Sequence, residues 1–240
     1  MVITSIFDKF GKLSREQKIE ELNKFGDYNK KPFDQPDIQK NLMVIAKDTK
    51  EDVSVREAAL SILQFSSNPA LYDFYFGLFT DPDCHPDLKT NLSLKLGGVV
   101  QKRKEVLDYF VKRLVAKDEP EGSKANIAFA LGFSGFKAER AIVGALTKAY
   151  DDAPVQYSSV RRSCACALVN FLSDGAARKT VENALKDKDD DVRYGIANTL
   201  ASKASCGRLD KRYLPWLQAL AKDKVESVAK EAQSGIRNFQ

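Results

Sequence analysis

The sequence has little with which to hold a metal ion or to run a histidine-dependent reaction. It contains one histidine, His85, and four cysteines, Cys84, Cys164, Cys166 and Cys206, in 240 residues. Zinc needs three or four convergent ligands, and no Cys-x-x-Cys pair is present. Cys164 and Cys166 stand two apart, which on a helix turns them to different faces. Thiols this sparse do not make a disulfide framework and read as ordinary buried or partly buried groups. His85, followed by Pro86, reads as a capping or exposed residue rather than a base. A phosphate-binding loop is also missing, because Gly97-Gly98 lacks the glycine and lysine that such loops need. The expectation is no metal, no cofactor and no catalytic residue.

Long apolar runs are absent as well. None approaches the roughly 18 residues that cross a bilayer. Residues 1–10 carry Asp8 and Lys9 and are not Arg-rich, so they match neither a secretory signal nor a transit peptide. An intracellular, cytoplasmic chain without a membrane span is expected. Alternating apolar and polar runs closed by hairpin turns are scarce, which disfavours β-sheet.

What is present is an ordinary globular composition, 43% hydrophobic and 30% charged. The net charge of +5 is uneven: residues 1–120 hold 19 basic and 19 acidic side chains, residues 121–240 hold 19 and 14. An excess confined to the second half suits steering of an acidic partner. It is modest for a dedicated nucleic-acid binder.

The main signal is an internal repeat. Val192-Arg193 is followed by Ile196, Ala197 and Leu200, one apolar face of a helix. The same offsets recur after Val160-Arg161 (Cys164, Ala165, Leu168) and after Val55-Arg56 (Ala59, Leu60, Leu63). Weaker copies start at Leu88, Ser123 and Val228. These anchors are separated by 33, 35, 37, 32 and 36 residues, a near-constant period that means stacked supersecondary units. A second periodic segment precedes each anchor, at 38–47, 71–79, 106–116, 141–149, 180–186 and 213–221. Each closes on an aspartate: Asp48, Asp81, Asp118, Asp151, Asp187 and Asp223. From that aspartate to the anchor there are five residues in three units and seven, seven and nine in the others. The longer turns read as insertions.

The pairing of a terminal aspartate with a following Val-Arg resembles the HEAT-repeat family. Asp187 with Val192-Arg193 matches best, and the alanine-rich unit is also similar to the repeats of phycobilin lyases. The likeness covers about residues 36–240. It implies an all-α, armadillo-like chain: a right-handed α-solenoid of about six helix pairs with an N-terminal helical cap. One domain of 1–240 is expected, with cap helices at 1–25, a loop at 26–37 and the pairs at 38–240. Residues 3–10 and 14–25 read as the two cap helices, with Ser14 and Gln17 placed for a capping box. The loop, with Pro32 and Pro36, is the candidate flexible segment.

Two sets of residues stand out. Arg56, Lys89, Lys124, Arg161 and Arg193 follow successive anchors and would stack into a basic ladder. It reads as structural, each side chain bonding an aspartate that ends a first helix, with an anion-binding stripe as the alternative. The resemblance implies that the second helices line a concave surface. Arg162, Tyr194, Asn198, Phe129, Asn126, Asn91 and Lys230 are the candidate partner-binding residues there, and Phe129 suits either a partner helix or packing between repeats. Trp216 with Tyr213 and Arg212 reads as core or cap ahead of an interface hot spot.

The function expected from these features is a non-enzymatic protein-binding scaffold or adaptor, whose partner carries an acidic or helical epitope. The alternatives are a helical-repeat nucleic-acid binder similar to DNA glycosylases, or a HEAT-like lyase or chaperone subunit. Deoxyhypusine hydroxylases, which share this kind of repeat, bind iron through paired His-Glu motifs, and those motifs are missing here.

Overall fold

The computed structural model describes residues 7, 9–26, 32–66, 68–133 and 140–239. Among these residues there are thirteen α-helices and no β-strand. No helix of the described residues is long and apolar enough to cross a membrane. Helix α1 (Arg15–Asn23) precedes six helix pairs: α2 (Pro36–Lys47) with α3 (Val53–Leu63), α4 (Leu71–Thr80) with α5 (Pro86–Gly97), α6 (Lys104–Leu114) with α7 (Glu121–Phe133), α8 (Arg140–Asp152) with α9 (Ser158–Leu168), α10 (Gly175–Ala184) with α11 (Asp190–Ser205), and α12 (Leu214–Leu220) with α13 (Glu226–Arg237). The chain divides into two compact units, residues 1–96 and 97–240.

Local chemistry explains where helices start. Ser14 and Gln17 form the expected capping box on α1, the Ser14 hydroxyl accepting from the Gln17 N–H at 3.3 Å and the Gln17 amide oxygen from the Ser14 N–H at 2.9 Å. Asp52 caps α3 through the Ser54 N–H at 2.8 Å, and Asp189 caps α11 through the Asp191 N–H at 2.9 Å. Asp174 caps α10, which begins at Gly175, five residues earlier than the apolar periodicity indicates, because Asp174 takes both the Ala176 and Ala177 N–H groups. Helix α11 ends at Ser205, and just beyond it the φ of 65° at Gly207 permits the N–H of Arg208 to reach the Lys203 carbonyl at 2.8 Å.

In the first unit, α1, α2 and α3 pack around Leu22, Leu42, Leu60 and Leu63, all fully buried. Lys18 on α1 is tied to Glu51, just before α3, at 2.6 Å. Of the expected flexible loop at 26–37, residues 27–31 lie outside the described residues. The remainder departs from that expectation. Pro32–Asp34 form a 3-10 turn, Phe33 is buried, and its carbonyl accepts from the buried Gln39 amide at 3.0 Å. Of the first expected cap helix, over residues 3–10, residues 3–6 and 8 lie outside the described residues, and 7, 9 and 10 are helical.

In the second unit, α7, α9, α11 and α13 pack successively side by side as one layer, and α6, α8 and α10 form a second. Val106, Phe110, Leu131, Leu146, Leu168, Ile196 and Leu200 fill the space between them. The crossings in the second-helix layer are very close. A Cβ on Gly132 of α7 would lie 2.5 Å from the Ala167 Cα of α9, and one on Gly235 of α13 would lie 2.9 Å from the Ala201 Cα of α11. Between α9 and α11, a Cβ on Gly195 would lie 2.6 Å from Arg162 Cγ. At Gly132 and Gly235 the obstacle is backbone, so only glycine permits those approaches; at Gly195 it is the Arg162 side chain, which must shift for a larger residue.

Candidate functional site

The arginines after the anchors are built into the turns between hairpins. Arg161 on α9 is buried; its Nε and NH2 donate to the two carboxylate oxygens of Asp187 at 3.0 and 3.1 Å, and its NH1 donates to the Pro154 carbonyl at 2.7 Å. Arg193 on α11 repeats the arrangement one hairpin later, with Asp223 at 2.6 and 3.0 Å and the Asp187 carbonyl at 2.7 Å. Each guanidinium thus takes a carbonyl from its own turn and the carboxylate from the next. The planar fork suits this bidentate geometry. Burial opposes ionisation of Asp187, but the Arg161 bonds, the Asp189 N–H and the Tyr150 hydroxyl outweigh it and hold the carboxyl below its ordinary value. Asp223 is held below its ordinary value chiefly by the Arg193 hydrogen bond, which also raises Arg193.

The other rungs differ. Arg56 is buried and donates from Nε to the Ala46 carbonyl at 3.0 Å, inside its own hairpin. Lys89 and Lys124 are only partly buried, and neither forms a salt bridge among the described residues. A network that periodicity does not reveal stands beside Lys124. Arg113 donates to Glu119 at 2.6 Å and to Asp118 at 2.9 Å, and the buried Glu119 accepts from the Ser123 hydroxyl at 2.5 Å. The one sequence signal for it is a serine at an anchor where other units carry Val or Leu.

The candidate partner-binding residues sit on the second helices. In the second unit, Phe129 on α7 is 51% exposed, Arg162 on α9 is exposed, Tyr194 on α11 is 37% exposed, and Asn198 and Lys230 are exposed. Asn126 is partly buried on α7. Arg162, Tyr194 and Lys230 each lie two residues after an anchor, so they repeat one position on α9, α11 and α13. The Arg162 stem lies against Gly195, and the Asn198 amide donates to Glu231 of α13 at 3.3 Å. In the first unit, Asn91 is partly buried, and Leu94 of the same helix is 58% exposed.

Trp216 is half-buried with its ring centroid 4.7 Å from that of Tyr213. Tyr213 is buried and donates its hydroxyl to the Leu172 carbonyl at 3.0 Å, while Arg212 lies 5.1 Å from the same ring. Cys84 and Cys164 are buried and Cys166 partly so, but Cys206, the C-cap of α11, is exposed. Desolvation pushes the Cys164 thiol far up, away from nucleophilic character. His85 caps α5, its Nδ1 accepting from the Asp87 N–H at 3.3 Å. Among the described residues no group of three His, Cys, Asp or Glu side chains is placed to hold a metal ion.

No family model matches the chain, and no curated protein matches it. Among solved structures it is similar to human deoxyhypusine hydroxylase in complex with glycerol, with 18% identity, coverage of 99% of this chain and 84% of that one, and a TM-score of 0.43.

Proposed function

We propose that the chain is a protein-binding scaffold or adaptor of the HEAT-repeat type, without catalysis of its own, that receives its partner on the outward face of the second helices. The observation that carries this reading is the repetition of Arg162, Tyr194 and Lys230 at one position of three consecutively packed helices, with Phe129 and Asn198 exposed beside them. Arginine and tyrosine are enriched where protein interfaces form. Arg162 and Lys230, the latter paired with Glu226 on its own helix, and an exposed phenylalanine on α7 suit an acidic segment with an apolar residue, such as an amphipathic helix.

Affinity capture with the whole chain tests this. The expected result is a stable partner that is lost when Arg162, Tyr194 and Asn198 are replaced by alanine together, while the circular dichroism spectrum is unchanged. A partner retained by that variant places the binding elsewhere. If the captured ligand is duplex DNA, held with an affinity that collapses as salt rises, the nucleic-acid reading replaces this one.

A further inference from the structure

Lys124 occupies the ladder position of its hairpin, yet its surroundings differ from those of Arg161 and Arg193. Its counterpart aspartate on the next hairpin, Asp151, remains inside α8 instead of in the turn beyond it. The neighbouring Asp152 is committed to Lys148 on the same helix at 2.6 Å. The turn from Asp151 to Val160 is the longest of the six, with nine residues from aspartate to anchor. That extra chain, including Pro154 and Tyr157, forms a wall instead of filling the space. The result is a cavity of about 580 Å3 where the Arg161 and Arg193 rungs have a closed ion pair. Leu114, Ala149 and Val160 are among its apolar lining residues, and Lys117, Lys124 and Lys148 are its basic ones.

From this we infer a binding site for a small organic phosphate monoester. The lining holds three lysines and one carboxylate, Asp152, which is already paired with Lys148. Lys117 and Lys124 have no salt bridge among the described residues. Two uncommitted cations match a phosphate dianion better than a single carboxylate. The volume lies in the range of small-molecule sites, roughly 300–1,000 Å3, and the apolar wall with the Tyr157 ring accommodates a hydrocarbon or aromatic body. The site is independent of the partner-binding face proposed above.

Calorimetric titration of the whole chain with phenyl phosphate, inorganic phosphate and benzyl alcohol tests the inference. Phenyl phosphate binds saturably at low salt and more tightly than the other two. Lys124→Met weakens it roughly tenfold, the size of one charge-assisted hydrogen bond, and Lys112→Met, on the exposed side of α6, leaves it unchanged. Asp152→Asn releases Lys148 and tightens binding, a gain that no folding defect imitates. Absence of saturable phenyl phosphate binding by the wild type overturns the site. So does a set of Lys117→Met, Lys124→Met and Asp152→Asn variants that bind as the wild type does. A phosphotyrosyl peptide bound more than about tenfold tighter than phenyl phosphate overturns the small-molecule assignment.

Discussion

The two units use one register between neighbouring second helices and fill it with opposite chemistry. In the second unit, the residue nine after one anchor meets the residue seven after the next: Gly132 meets Ala167, and Ala201 meets Gly235. The first unit keeps that register with Gln64 and Lys95, and the Lys95 ammonium donates to the Gln64 amide oxygen at 3.2 Å. Burial pulls the Lys95 amine down to about 8, because the charged form loses water there. The same repeat therefore stacks by backbone proximity in one region and by a half-desolvated polar contact in the other. Stacking register belongs to the hairpin geometry, and the residue pair at the crossing decides how tolerant it is.

Three substitutions break or sharpen that contrast. Gly132→Val is expected to be the most damaging. Its first carbon already falls on the Ala167 backbone, so helices α7 and α9 must separate and lose the packing beneath them; the loss is about 3 kcal/mol or more of stability, beyond ordinary overpacking, measured as a lowered urea midpoint. Gln64, at the same position in the first unit, is exposed, and Gln64→Val costs about 1 kcal/mol, the hydrogen bond that Lys95 loses.

Arg161→Met comes next, at about 3 kcal/mol, because it strands the Asp187 carboxylate in a nearly closed turn. Asp187→Leu added to it recovers much of the loss. The pair also predicts acid sensitivity. The folded-state pKa of Asp187 lies below its ordinary 3.8, so its stabilisation is complete above that value and disappears as pH falls through the lower, folded one. Thermal melts from pH 6 downward check this, and the Arg161→Met, Asp187→Leu chain loses that component of the slope.

The smallest effect belongs to Lys95→Met. The folded pKa of the lysine is lowered, so at neutral pH the molecule carries the full cost of its charge, and stability rises with pH between about 8 and 10.5. The methionine variant is expected to gain about 1 kcal/mol at pH 7 and to lose the alkaline rise. A variant less stable at pH 7 shows that the bond to Gln64 outweighs desolvation.

Periodicity reads the helices well. The anchors at Val55, Leu88, Ser123, Val160, Val192 and Val228 all lie on second helices, and the packed faces follow the three- and four-residue spacing. Helix starts set by caps were less visible, as Asp174 illustrates, since the apolar pattern begins only after the cap has acted. The residue position of each arginine is plain, but which aspartate it meets is not. Arg193 stands six residues from Asp187 and thirty from Asp223, and only the packed hairpins place the carboxylate of the second against it. The cavity at Lys124 was hidden for a similar reason. A long turn in a sequence reads as an insertion, and only its path tells whether it fills space or encloses it. The exposed face of the second helices was legible as a set of positions, whereas the exposure of Phe129 depends on helix rotation that periodicity leaves uncertain by tens of degrees.

The two guanidinium–carboxylate pairs that join hairpins in the second unit point the same way. Arg161 reaches forward to the turn after α10, and Arg193 reaches forward to the turn after α12. Every such hairpin leans on its successor, so the array has a grain, like overlapping roof tiles. Removing the last tile would uncover a buried cation on the one before it, and the damage would travel toward the amino terminus.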